Sequence, residues 1–179
     1  MTFALERVRS QPEGDSLEAT QKWIRDTLVE HSVLKNIYPE EKNKWTIRVE
    51  SVNFDGCHIT INKVTTGSLP GRARYSAKLS DLDPLNIKVM RMKRLESDGS
   101  RVPLNNYFVL LHAVEMKDKV RYVSRGVSLH QDHMTKYISM YFTDEELANK
   151  VAKAFAHIIK LCTESRKEPG VTRLHNRNK

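Results

Sequence analysis

The chain has 179 residues, 39% of them hydrophobic and 29% charged, a balance that excludes a disordered or fibrous protein and gives a single domain enough material for a core without metal or disulfide support. Its longest strongly apolar run, Phe108-Val109-Leu110-Leu111, is far short of the roughly 18 to 20 residues that cross a bilayer, which excludes a helical membrane span. A net charge of +8 directs attention to polyanionic partners such as nucleic acid or acidic lipid, although it also serves solubility.

The opening segment, residues 1–14, mixes both charges without a sustained period and reads as a flexible arm. It carries Glu6, Arg7, Arg9 and Glu13 and lacks the apolar core of a signal peptide, so a cytoplasmic location is expected. Asp15 or Ser16 is placed to cap a helix over residues 16–32. Along that helix Leu17, Thr20, Ile24, Thr27, Leu28 and His31 form one stripe, with Trp23 at its edge.

From Trp45 the period changes from helical to alternating and stays so for about a hundred residues. Trp45, Ile47, Val49, Val52 and Phe54 make a first strand, and Asp55-Gly56 turns the chain into a second one through Ile59 and Ile61. After the loop from Thr66 to Gly71, Ala73, Tyr75, Ala77 and Leu79 face one way while Arg72, Arg74, Ser76 and Lys78 face the other. Asp81-Leu82-Asp83-Pro84 breaks that third strand. Leu85, Ile87 and Val89 begin a fourth, which ends in the basic Arg91-Met92-Lys93-Arg94.

Tyr107 to Val114 is a fifth strand, and Val120, Tyr122, Val127 and Leu129 a sixth that Gly126 weakens. His130-Gln131-Asp132-His133 reads as the turn into a seventh, in which Ile138, Met140 and Phe142 alternate with Tyr137, Ser139 and Tyr141. Thr143 with Glu146 forms a capping box for a closing helix, along which Leu147, Val151, Phe155, Ile158 and Cys162 share one face. Residues 166–179 form a basic tail, so the expected organisation is one domain over residues 15–165 between an arm and a tail.

Candidate chemistry is sparse. Cys57 and Cys162 are expected as separate buried thiols; a bridge between them would tie the early sheet to the end of the last helix, and in the cytosol it would usually stay reduced. Cys57 and His58 are strand neighbours that point to opposite faces, which argues against a catalytic dyad. His130 and His133 fall in the expected turn and read as structural, not as metal ligands. No phosphate-binding glycine loop or nucleophile elbow occurs, and neither a metal nor another cofactor is implied.

The basic residues are the one constellation with a shape. Arg72, Arg74 and Lys78 share a strand face, and Lys63, Lys88 and Arg91, with Lys93 and Arg94, join them if sequential strands pair. Guanidinium groups so arranged hold phosphates through paired hydrogen bonds. Base-specific reading would need exposed aromatics between the charges, and Tyr75 is predicted to point inward.

Seven antiparallel strands running through Tyr141-Phe142-Thr143-Asp144 straight into a capped amphipathic helix resemble the pleckstrin-homology-like superfold over residues 45–163. In phosphoinositide-binding members of that family a Lys, a spacer and a basic-x-Arg sequence surround the first hairpin, and Lys63 with Arg72-Ala73-Arg74 is similar to that pattern. Phe54-Asp55-Gly56-Cys57 and the stretch from Ala154 to Cys162 are also similar to bacterial domains without an assigned activity.

The expectation is thus an α+β fold, a seven-stranded antiparallel barrel or sandwich closed by a C-terminal helix, with an extra N-terminal helix. The expected function is non-enzymatic: a binding or scaffolding module for a protein or peptide partner, or alternatively for an anionic lipid head group or nucleic acid through its basic sheet face.

Overall fold

A computed structural model describes residues 16–35, 44–68, 70–96, 98–126 and 130–165. The expected arm, the polar stretch from Pro39, Val127, Leu129 and the basic tail lie outside them. Helix α1 (Leu17–His31) starts where Ser16 accepts a hydrogen bond from the Ala19 amide at 3.3 Å, so Ser16 is the cap. Its expected stripe is the face it buries: Thr20, Ile24, Thr27 and Leu28 are covered, and so is Trp23. This face packs on both the sheet and the closing helix.

Nine strands follow among the described residues, all pairing antiparallel. One sheet has six, in the order β1 (Val33–Lys35), β2 (Trp45–Asp55), β3 (His58–Gly67), β4 (Gly71–Lys78), β7 (Val120–Gly126) and β8 (His130–Thr135). The other has three, β5 (Leu82–Leu95), β6 (Arg101–Ala113) and β9 (Tyr137–Phe142). The seven expected strands are all present, but the sheets do not close into a barrel.

The reason lies in the pairing. After β4 the short 3-10 turn Leu79–Asp81 carries the chain into the second sheet, so β4 pairs with the distant β7 instead of the sequential β5. Two strands were not expected. β1 is a three-residue strand at the edge of β2, and His130 to His133, read as a turn, lies in β8 against β7. Leu85, the first residue of the expected fourth strand, is almost fully exposed, at a register shift of the β5–β6 pair between Leu82 and Ile87.

The β2–β3 turn has Gly56 and Cys57 at its centre, one residue later than Asp55-Gly56, with Asp55 pairing His58. Gly56 takes the left-handed conformation, φ +52°, that side chains beyond glycine rarely adopt. At the other end of β3, Gly67 has φ +101°, and a Cβ there would meet the Lys44 carbonyl oxygen at 2.0 Å.

Helix α2 (Glu145–Glu164) is capped by Asp144, not Thr143: its carboxylate accepts from the Leu147 amide at 2.9 Å. All five residues of the expected apolar face are buried, together with Ala148, Ala154 and Ile159. The helix lies on β5, β6 and the Leu79–Asp81 turn, and its core is continuous with Ile59, Ile61, Val109, Leu111, Ile138 and Met140.

The cysteines are not separate thiols. Cys57 and Cys162 form a disulfide with Cα atoms 5.6 Å apart, because α2 ends against the β2–β3 turn. That turn is held from two further sides: the Gly56 carbonyl accepts from Gln21 Nε2 at 2.8 Å, and the Cys57 carbonyl from the Leu79 amide at 2.7 Å.

Candidate anion-binding face

Strand geometry divides the expected basic residues between two faces. On β3 the side chains of Ile59, Ile61 and Lys63 share the inward face, since residues two apart point the same way. Lys63 is therefore not a surface ligand: it is 4% exposed. Its Nζ donates to the Ser139 carbonyl and approaches Ser139 Oγ at 3.4 Å, and it lies 4.8 Å from the Tyr75 ring centroid and 4.7 Å from that of Tyr141.

Among the described residues no carboxylate pairs with this ammonium. Burial removes its hydration and pulls its pKa from 10.5 down to about 7. The ring faces and the carbonyl oppose that shift, because each favours the charged form. The same burial raises the Tyr75 and Tyr141 phenols above their ordinary range. Tyr75 points inward as expected, its hydroxyl 3.3 Å from Ser139 Oγ. This cluster clamps β3 of one sheet to β9 of the other.

The outward face of the six-stranded sheet holds the other charges. Arg72 and Arg74 lie on exposed positions of β4, and the register places Arg72 directly opposite Arg125 on β7. They line a depression of about 440 Å³ together with Glu50, Asn62, Lys63, Ala73 and Val123. Glu50, at a bulge in β2, makes a 3.4 Å ion pair with Arg72. Arg74 and Arg125 have no ion pair among the described residues. A Cβ on Gly71 would come within 3.0 Å of the Arg125 carbonyl, so glycine there lets the two strands that carry the arginines approach.

The remaining predicted members lie elsewhere. Lys78 is on the same face but opposite His58, at the far end of β4. Lys88 and Arg91 belong to β5 in the other sheet, where Arg91 donates to the Leu104 carbonyl at 2.8 Å and to Asn105 Oδ1 at 3.0 Å. Arg94 is paired with Glu96, and Lys93 is on the same ribbon. The structure thus brings Arg72 and Arg74 together, turns the Lys63 ammonium to the buried side of the same sheet, and separates Lys78, Lys88 and Arg91 from them.

Sequence reasoning missed Arg125 and Arg48, which enter only through cross-strand register. For Lys63 the signal was present, since it continues the period-two series of Ile59 and Ile61. His130 and His133, three apart on β8, point to opposite faces: His130 lies across from Arg125, and His133 stacks on Tyr122 at 5.2 Å. Among the described residues no group of three His, Cys, Asp or Glu side chains is placed to hold a metal ion. No family model, curated protein or solved structure matches the chain.

Proposed function

We propose that the protein is a binding module, not an enzyme, and that the outward face of its six-stranded sheet holds an anionic ligand through Arg72, Arg74 and Arg125. The observation that carries this reading is the convergence of three guanidinium groups from two paired strands on one depression, with Glu50 as the single carboxylate in its lining. Guanidinium forks match phosphate and carboxylate oxygens, and two of these three have no competing ion pair among the described residues.

A peptide partner is the second reading. The observation that favours it is β8, which among the described residues pairs only with β7 and so leaves one edge available for strand addition. The run of antiparallel strands leading into α2 supports a pleckstrin-homology-like relationship by element order alone, since β4 pairs with β7 and not with β5. The Cys57–Cys162 bond supports a compartment that permits disulfides over the cytoplasm.

The test is calorimetric titration with inorganic tripolyphosphate at low salt. The Arg74→Ala/Arg125→Ala variant loses at least tenfold in affinity, whereas Lys88→Ala/Arg91→Ala, on the other sheet, does not. Equal losses in both variants, or none in the first, would overturn the assignment of the site.

A further inference from the structure

The depression is one part of a longer feature. Following the hydrogen-bonded register across the sheet, Arg48 on β2 is opposite Val64 on β3, Val64 is opposite Arg72 on β4, Arg72 opposite Arg125 on β7, and Arg125 opposite His130 on β8. Directly opposed residues of antiparallel strands project from the same face. Three arginines and a histidine therefore stand in one line perpendicular to the strands, all at exposed positions. At about 4.8 Å between strands the line extends roughly 19 Å, more than a single phosphate or pyrophosphate can cover.

The neighbouring rows differ. The next one, Ser51, Asn62, Arg74, Val123 and Asp132, ends in a carboxylate, and the row of Lys78 contains Asp55. Only the row from Arg48 to His130 combines several cations with no acidic member; Glu50, beside it at the bulge, meets Arg72 alone. His130 is anchored at the end of this line, its Nδ1 donating to the Ser124 carbonyl at 3.1 Å.

Resting on the anion-binding reading above, we infer that the ligand is a linear phosphate chain laid across the strands from Arg48 to His130 and contacted through its phosphates alone. A phosphate chain fits because guanidinium pairs with it in a fork at successive points, and because no Phe, Tyr or Trp side chain projects from these rows to stack a base. Inorganic polyphosphate and a single-stranded nucleic-acid backbone share this chemistry.

The experiment compares affinities for tripolyphosphate, a linear polyphosphate of about ten phosphates, a ten-nucleotide single strand and poly-glutamate, at several salt concentrations. The expected result is at least a tenfold gain, per mole of phosphate, from the short to the long phosphate chain. Arg48→Ala abolishes that gain and lowers the salt slope by about 0.7, the value of one lost contact on a flexible chain, while leaving tripolyphosphate binding intact. Lys78→Ala removes the same charge from the same face but about 20 Å away along β4, and leaves the gain unchanged.

A gain lost in Lys78→Ala and kept in Arg48→Ala would put the chain along the strands and overturn the proposal, as would poly-glutamate binding as tightly as polyphosphate. If the nucleic acid matches polyphosphate, the backbone suffices; if it binds tenfold more tightly, its bases are read and contact through phosphates alone is refuted. Failure of the anion-binding reading itself is separate: it would show as tripolyphosphate affinity unchanged in Arg74→Ala/Arg125→Ala.

Discussion

Lys63→Met isolates the energetic consequence of a cation buried between two sheets. Methionine matches the stem of lysine in volume and leaves Tyr75, Tyr141 and Ser139 in place, so the change removes mainly the titrating group. In the folded protein the ammonium loses its proton above about pH 7, whereas the unfolded chain keeps it to 10.5. Between these values the unfolded state binds more protons, so stability rises with pH; the full penalty acts below about 7 and disappears above 10.5.

One pH unit of such a difference corresponds to about 1.36 kcal/mol. With burial acting alone, the parent gains about 2 kcal/mol relative to Lys63→Met between roughly pH 7 and pH 9. If the two ring faces restore one unit, the gain is about 1 kcal/mol. Urea unfolding followed by tryptophan fluorescence, to which Trp23 buried against the core contributes, gives both profiles. Parallel profiles for parent and variant would refute the buried, carboxylate-free environment assigned to Lys63.

Three further changes test the framework. Cys57→Ser/Cys162→Ser opens a loop closed over a sequence separation of 105 residues and lowers unfolding free energy by about 4 to 5 kcal/mol, measured by denaturant unfolding of the oxidised parent against the variant. Asp144→Ala costs about 1 kcal/mol by freeing the Leu147 amide, while Thr143→Ala costs little; the reverse order in thermal unfolding would restore Thr143 as the cap. Gly67→Ala drives a Cβ against the Lys44 carbonyl at a positive φ and lowers stability by about 2 to 3 kcal/mol, seen as a fall in Tm.

What was legible in the sequence was what depends on local spacing. The faces of α1 and α2 follow from three- and four-residue recurrence, and β4 follows from strict alternation between Ala73 and Lys78. What was not legible depends on pairing between distant segments. β1 is too short to show a period, and β8, with His, Gln, Asp and His at its start, has turn composition and is a strand because β7 offers it a ladder.

The same limit governs the site. Arg72 and Arg74 were visible on one strand, but their true neighbours are Arg125, about fifty residues on, and Arg48, two strands away; the β4–β7 register reveals the first and the β2–β3–β4 register the second. Lys88 and Arg91 were grouped with them on the assumption of sequential pairing, which the crossing at Leu79–Asp81 breaks, whereas Lys78 shares their strand face but stands at the far end of β4. The disulfide was missed because cysteines 105 positions apart meet only once α2 has docked on the turn at Gly56.

The most direct test of the central claim, that the outward face of the six-stranded sheet is the binding surface, is a nuclear magnetic resonance titration of the full chain with tripolyphosphate. Backbone amide and arginine Nε signals are followed together. Saturable shifts are expected at Arg72, Arg74, Arg125 and their strand neighbours alone, with the β5–β6 ribbon unchanged. Shifts centred on Arg91 to Arg101, or on the open edge of β8 without the arginines, would contradict that claim.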